Sequence, residues 1–288
     1  MNDKVKNLLI RMASGIALLA VFTAATLWSA YSFSVLLFVI AIGCQVEFYA
    51  LCRKGGASPQ YVTGLFFGLL LLLFGVGFTM LSIIRSTGEM SMAASLMLPS
   101  VLLMILMPAT IFICQLWRKT PDPVTDIATT FAGVLYAALP MSLLMLVPPL
   151  LCGGTWDGRT MLGYIFVIWS NDVFAYLTGC TFGRHKMCER LSPKKSWEGF
   201  AGGIAGAVLT GWIVSLWLEG SAAVWCGLAG VTAVTGVAGD LAESMFKRRV
   251  GVKDSGRIMP GHGGMLDRFD SLLISTPFAV VYLLLLHM

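Results

Sequence analysis

Residues 61–84 read YVTGLFFGLLLLLFGVGFTMLSII, a run without one charged side chain. About 20 mostly apolar residues are enough to cross the roughly 30 Å hydrocarbon layer of a bilayer. In that layer the backbone must satisfy its own N–H and C=O groups, so the run is read as a membrane-spanning helix. Similar runs recur at roughly 8–28, 32–52, 93–117, 127–151, 160–182, 199–218, 222–241 and 271–287. The expectation is an all-α polytopic membrane protein with about nine transmembrane helices. The tight stretch Trp28–Tyr31 and the prolines at 99 and 108 make about eight spans the competing count.

Composition agrees. Apolar residues make up 57% of the chain and charged residues 12%, against about 25% charged in a soluble domain. The mean hydropathy is +0.81 and the pI near 8.9. The net charge of +5 does not point to nucleic acid, because the basic residues sit beside apolar runs, where anionic lipid and phosphate are the fitting partners. The seven cysteines include no CxxC pair, and six lie in or next to apolar runs, so they are read as small apolar residues. Lys4, Lys6 and Arg11 ahead of an apolar run resemble the start of a signal peptide, but more membrane segments follow, which favours a first span.

Loops rich in Lys and Arg stay in the cytoplasm. With the N-terminus inside, all of the 20 basic residues except Arg85 and Arg159 fall on the cytoplasmic side of a nine-span arrangement, and the C-terminus falls on the opposite side. Fusing the first two spans would break this pattern. Residues 1–160 have short, sparsely charged loops and read as a transmembrane scaffold of about five spans. Residues 161–288 carry the polar loops 183–198 and 242–270 and read as the catalytic region.

Carboxylates at membrane depth need a partner, a metal or a watery cavity. Glu47 lies near Arg53 and Lys54 and is read as part of a structural ion pair. Asp172 follows Ser170-Asn171 inside an apolar run, where an interhelical hydrogen bond and a functional role weigh about equally. Asp240 and Glu243 are three apart on one helical face, Ser244 follows, and Lys247 lies one turn after Glu243. Repulsion between two such carboxylates is relieved by a cation, although a solvated helix end with a Glu–Lys pair would show the same spacing.

The segment Lys253-Asp254 through Pro260-Gly261-His262-Gly263-Gly264-Met265-Leu266-Asp267-Arg268-Phe269-Asp270 shifts the balance. Its glycines allow close backbone approach to an anion, and the helix start that follows favours phosphate. Asp267 and Asp270 could simply cap that helix, yet with Asp240 they also offer the hard oxygen ligands that Mg2+ takes. Lys247, Arg248, Lys253 and Arg268 add cations for phosphate oxygens. Together these groups describe phosphoryl or nucleotidyl transfer. Ser192-Pro193-Lys194-Lys195-Ser196 in the other polar loop either marks topology or holds two ammonium groups over a triphosphate. His185, His262 and His287 lack zinc-site spacing; His262, between glycines, is the one read as donating to phosphate or ordering its loop.

These residues resemble the phosphatidate cytidylyltransferases, or CDP-diacylglycerol synthases. The resemblance rests on Ser244-x-x-Lys247-Arg248, Lys253-Asp254 and Pro260-x-His262-Gly263-Gly264-x-x-Asp267-Arg268-x-Asp270 at fixed spacing. It extends to Gly239-Asp240-Leu241-x-Glu243, to Ser192–Phe200 and to Asn171-Asp172-x-x-Ala175-Tyr176. Met259 and Ser196 are minor departures, the latter keeping the hydroxyl of the more usual Thr. The likeness runs from about 165 to the end and is only topological before that.

The resemblance implies condensation of CTP with phosphatidate to give CDP-diacylglycerol and pyrophosphate. It further implies Mg2+ on Asp240 and Asp267, room for K+ as a second ion, a homodimer, and a bacterial inner membrane with the active site on the cytoplasmic side. On this reading Asp240, Asp267, Lys247, Asp172 and Asp270 serve catalysis. Lys194, Lys195, Ser196, Ser244, Arg248, Lys253, Asp254, His262, Gly263, Gly264 and Arg268 serve substrate binding. The alternatives are a dolichol- or phytol-type lipid kinase, a cytidylyltransferase for another acidic lipid, and a transporter, the last disfavoured by the absence of inverted repeats.

Overall fold

The computed structural model describes residues 3–85, 91–256, 258 and 263–286, with side chains from residue 15 to 81 and from 97 onward within those ranges. The basic residues at 4, 6, 11, 85 and 257, and His262 and His287, lie outside the described side chains. The chain runs α1 (Asp3–Trp28), α2 (Ala30–Lys54), α3 (Tyr61–Arg85), α4 (Ser91–Ile105), α5 (Met107–Leu116) and α6 (Pro123–Gly133). It continues through a π-helical turn (Val134–Ala138), α7 (Leu139–Leu144), α8 (Val147–Leu151) and α9 (Gly158–Phe182). A hairpin of β1 (Lys186–Cys188) and β2 (Ser192–Ser196) follows, then α10 (Trp197–Trp217), α11 (Ala222–Arg249) and α12 (Leu266–Leu286).

The architecture is all-α and multi-pass. Among the described residues seven helices are long and apolar enough to cross a membrane, or eight if the bent pair α4–α5 counts as one span. The apolar stretch Gly15–Trp28 of α1 falls short of that length. The 48° bend between α4 and α5 has a local cause: Pro108, in the first turn of α5, offers no N–H to the turn before it. The turn between α1 and α2 is set by Ser29, which caps α2 by accepting from Ser32 N while Ser32 Oγ accepts from Ser29 N.

Close helix packing is built on small residues. Tyr49 of α2 fits between Gly64 of α3 and Gly133 of α6, where a Cβ on either glycine would run into its ring. Its hydroxyl donates to Thr130 O at 2.9 Å and accepts from Gln45 Nε2 at 3.0 Å, so the buried polar tip is satisfied. Gly199, Gly202, Gly203 and Gly206 form one face of α10 and let α9 approach along Asn171, Phe174, Ala175 and Thr178. Gly239 of α11 rests on the backbone of Asp270 in α12, a Cβ there lying 2.5 Å from the Asp270 carbonyl. That close approach is what brings the acidic groups of the two helices together.

Residues 183–198, expected as a polar loop, contain the antiparallel hairpin, with Lys186 opposite Ser196 and Cys188 opposite Ser192. Glu198 stabilises its base by accepting from the N–H of Arg184 and His185 and pairing with His185 Nδ1 at 2.6 Å.

Candidate active site

Asp240, Glu243, Ser244 and Lys247 fall at i, i+3, i+4 and i+7 of α11 and so share one helical face. The first turn of α12 brings Asp267 and Asp270 against it. One oxygen from each of Asp240, Glu243 and Asp270 lies within 4.8 Å of the other two. Glu243 is buried, and its Oε1 has no hydrogen-bond partner. Buried polar atoms are nearly always paired, so an orphaned carboxylate oxygen in an acidic trio fits a cation-binding role. The trio can hold a metal ion.

Lys247 stands beside the trio and bridges two carboxylates, Glu243 Oε2 at 2.5 Å and Asp267 Oδ1 at 2.7 Å. The other oxygen of Asp267 is taken by the polypeptide itself: Oδ2 accepts from Gly264 N at 2.8 Å and Ser255 N at 2.9 Å, and Ser255 Oγ lies 3.0 Å from it. Asp267 thus gathers the backbone of Ser255 and Gly264. The Gly264 N–H, one of those expected to approach a phosphate, is given to this internal carboxylate. Gly263 supplies the left-handed turn, at φ +85°.

Glu47 is a correction to the sequence reading. Among the described residues it makes no ion pair with Arg53 or Lys54; the Arg53 guanidinium instead lies 4.0 Å over the ring of Tyr61. Glu47 is buried, and its Oε2 accepts from Leu266 N at 2.8 Å and Ser255 Oγ at 2.9 Å. A carboxylate alone in an apolar run was a sound signal of a special site. Its partners lie more than two hundred residues away, beyond the reach of local spacing.

The hairpin supplies the opposite side. Lys195 on β2 reaches Asp240 Oδ2 at 2.6 Å, and Ser244 Oγ lies 3.4 Å from Asp240 Oδ1. Ser196 caps α10 by accepting from Gly199 N at 3.1 Å. A cavity of about 810 Å3 opens between these elements. Its lining brings together Asp172, Lys194, Lys195, Ser196, Asp240, Lys247, Arg248, Lys253, Asp254, Asp267, Arg268 and Asp270. Ser244, Gly263 and Gly264 are not part of that lining, and His262 lies outside the described residues. Residues not anticipated at the cavity include Cys180 and Lys186, and Glu243 enters as a third carboxylate of the trio.

A family model described as the cytidylyltransferase family matches residues 9–286, almost the whole chain. The chain belongs to the cytidylyltransferase family. Curated relatives include proteins named phosphatidate cytidylyltransferase from Staphylococcus epidermidis, 41% identical over 128 residues, and from Haemophilus influenzae, 42% identical over 130 residues. One from Staphylococcus aureus is 42% identical over 132 residues. These alignments cover 44%, 43% and 44% of this chain and 49%, 45% and 50% of the relatives, so the chain spans about half the length of the curated relatives it matches. For a cytidylyltransferase the arrangement is chemically apt: an acidic trio for a cation, and a cavity bordered by Lys, Arg and backbone turns for a polyphosphate.

Proposed function

We propose that this chain transfers the cytidylyl group of CTP to phosphatidate, giving CDP-diacylglycerol and pyrophosphate. The observation carrying the reading is the meeting, on one cavity, of the Asp240, Glu243 and Asp270 carboxylates with the ammonium groups of Lys195 and Lys247. Family membership and relatives named phosphatidate cytidylyltransferase support the choice of substrates.

In the reaction an oxygen of the phosphatidate phosphate attacks the α-phosphorus of CTP. The bond from that phosphorus to the oxygen bridging to the β-phosphate breaks, and pyrophosphate leaves with the electron pair. Asp240, Glu243 and Asp270 would hold Mg2+, a hard cation suited to oxygen ligands. When bound, Mg2+ neutralises charge on the phosphate oxygens and on the leaving pyrophosphate. Lys195 and Lys194, carried on the hairpin, hold the β- and γ-phosphates. Arg248, Lys253 and Arg268 line the same cavity and attract both anionic substrates. Lys247 keeps Glu243 and Asp267 in place. Asp267 sets the loop and the start of α12, so its contribution is to fix Lys247 and Asp270 rather than to meet substrate.

The basic loops argue for a cytoplasmic active site in a bacterial inner membrane, where CTP is available. The test is incubation of the purified protein with CTP labelled at the α-phosphate and a panel of acidic lipids, with and without Mg2+. Label entering lipid only with phosphatidate and Mg2+ is expected. Label that stays water-soluble with every lipid would overturn the reading, and lipid labelled in a parallel run with CTP labelled at the γ-phosphate would make the protein a lipid kinase.

A further inference from the structure

Glu47 does not line the cavity, yet it holds the segment that builds one wall of it. Through Oε2 it accepts from the backbone N–H of Leu266, the first residue of α12, one residue before Asp267 and one turn before Asp270. Through the same oxygen it accepts from Ser255 Oγ, which lies 3.0 Å from Asp267 Oδ2 as well. A hydroxyl has one proton, so Ser255 can donate to only one of the two carboxylates at a time. Asp267 Oδ2 already has two amide donors and Glu47 Oε2 only one, which favours donation to Glu47.

Two further features show that the chain is shaped around this carboxylate. Gly256 and Gly264 pack against it so closely that a Cβ on either would collide with Glu47. Those two glycines therefore make room for a side chain from α2. Among the described residues the partners of Glu47 are an amide and a hydroxyl rather than Arg53 or Lys54.

We infer that Glu47 is a positioning residue for cytidylyl transfer, fixing Ser255 and the start of α12 so that Asp267 and Asp270 are presented to Lys247 and to Asp240. The inference rests on the proposed reaction, and it assigns the first part of the chain a direct role in assembling the site. Because Glu47 does not line the cavity, its loss acts on the rate of the chemical step more than on CTP binding.

The experiment uses the full chain in lipid nanodiscs, with Glu47→Ala, Glu47→Gln and Gly256→Ala. For Glu47→Ala, kcat should fall by about tenfold or more while KM for CTP stays within about threefold. Amide hydrogen exchange across residues 251–266 should quicken while α9 and α10 stay protected. Glu47→Gln keeps an oxygen acceptor for both donors and should recover kcat to within about threefold of wild type. Gly256→Ala drives a methyl into the Glu47 carboxylate and should reproduce the Glu47→Ala pattern, which keeps the test open if that variant fails to insert. A Glu47→Ala protein with wild-type kcat, unchanged exchange in 251–266, or a Glu47→Gln variant as slow as Glu47→Ala would each overturn the inference. The exchange measurement needs no turnover, so a wild type that makes no CDP-diacylglycerol would sink the proposed reaction while the tether itself is still read.

Discussion

Lys195 on the hairpin and Asp240 on α11 are joined by an ion pair of 2.6 Å, so an ammonium group of the chain competes for the same carboxylate that helps form the acidic trio. Two cations on one carboxylate repel each other. Lys195→Met should therefore tighten binding of a divalent cation in the absence of nucleotide by several-fold, while turnover falls because a phosphate contact is gone. Mn2+ titration followed by electron paramagnetic resonance reads the first effect. Weaker Mn2+ binding in the variant would show that the pair does not oppose the metal.

Asp267 and Asp270 should separate cleanly. Asp267→Asn places an amide NH2 or a rotated carbonyl where Lys247, Gly264 and Ser255 need acceptors, so turnover should be lost with insertion preserved. Divalent-cation affinity should fall less than for a trio ligand, because Asp267 acts on the trio only through the placement of Asp270. Asp270→Asn should instead weaken cation affinity by at least about tenfold, as expected for loss of a charged ligand. The reverse pattern in Mn2+ titrations would return the metal to Asp267.

Lys247 carries the heaviest structural load of the site. Its removal leaves Glu243 and Asp267 facing each other without their shared cation, and breaking a buried pair costs about 3–5 kcal/mol. Lys247→Ala should lower the thermal unfolding midpoint in metal-free detergent solution and abolish activity. An unchanged midpoint would mean that the two carboxylates find another partner.

In the first part of the chain, Gly133→Ala should destabilise by about 1–3 kcal/mol, because the new methyl meets the Tyr49 ring in a packed interior. Tyr49→Phe should cost about 1 kcal/mol through loss of the bond to Thr130 O. Both are measured by thermal unfolding in the same detergent.

The sequence made the membrane class and the motif-bearing residues legible, because apolar run length and fixed spacing are local properties. Asp240 and Glu243 were readable as one face for the same reason. Three features were not. The use of Asp267 by Gly264 and Ser255 depends on backbone N–H groups, which carry no residue-type signature. The pairing of Lys186 with Ser196 depends on how Glu198 gathers the hairpin base. Glu47 was flagged as an intramembrane carboxylate but matched to Arg53 and Lys54, the nearest cations in sequence, when its partners are a hydroxyl and an amide at the far end of the chain. Pro108 announced a break in the fourth apolar run, though not whether the two pieces make one span.

The hydrogen bond from Leu266 N to Glu47 also sets a schedule for synthesis. A ribosome delivers α2 more than two hundred residues before α12, so the second helix waits in the bilayer with a carboxylate whose partners have not yet been made. Contacts so distant along the chain close late. The site can be assembled only once α12 has been inserted, so products of translation interrupted before α12 lack the partners of Glu47.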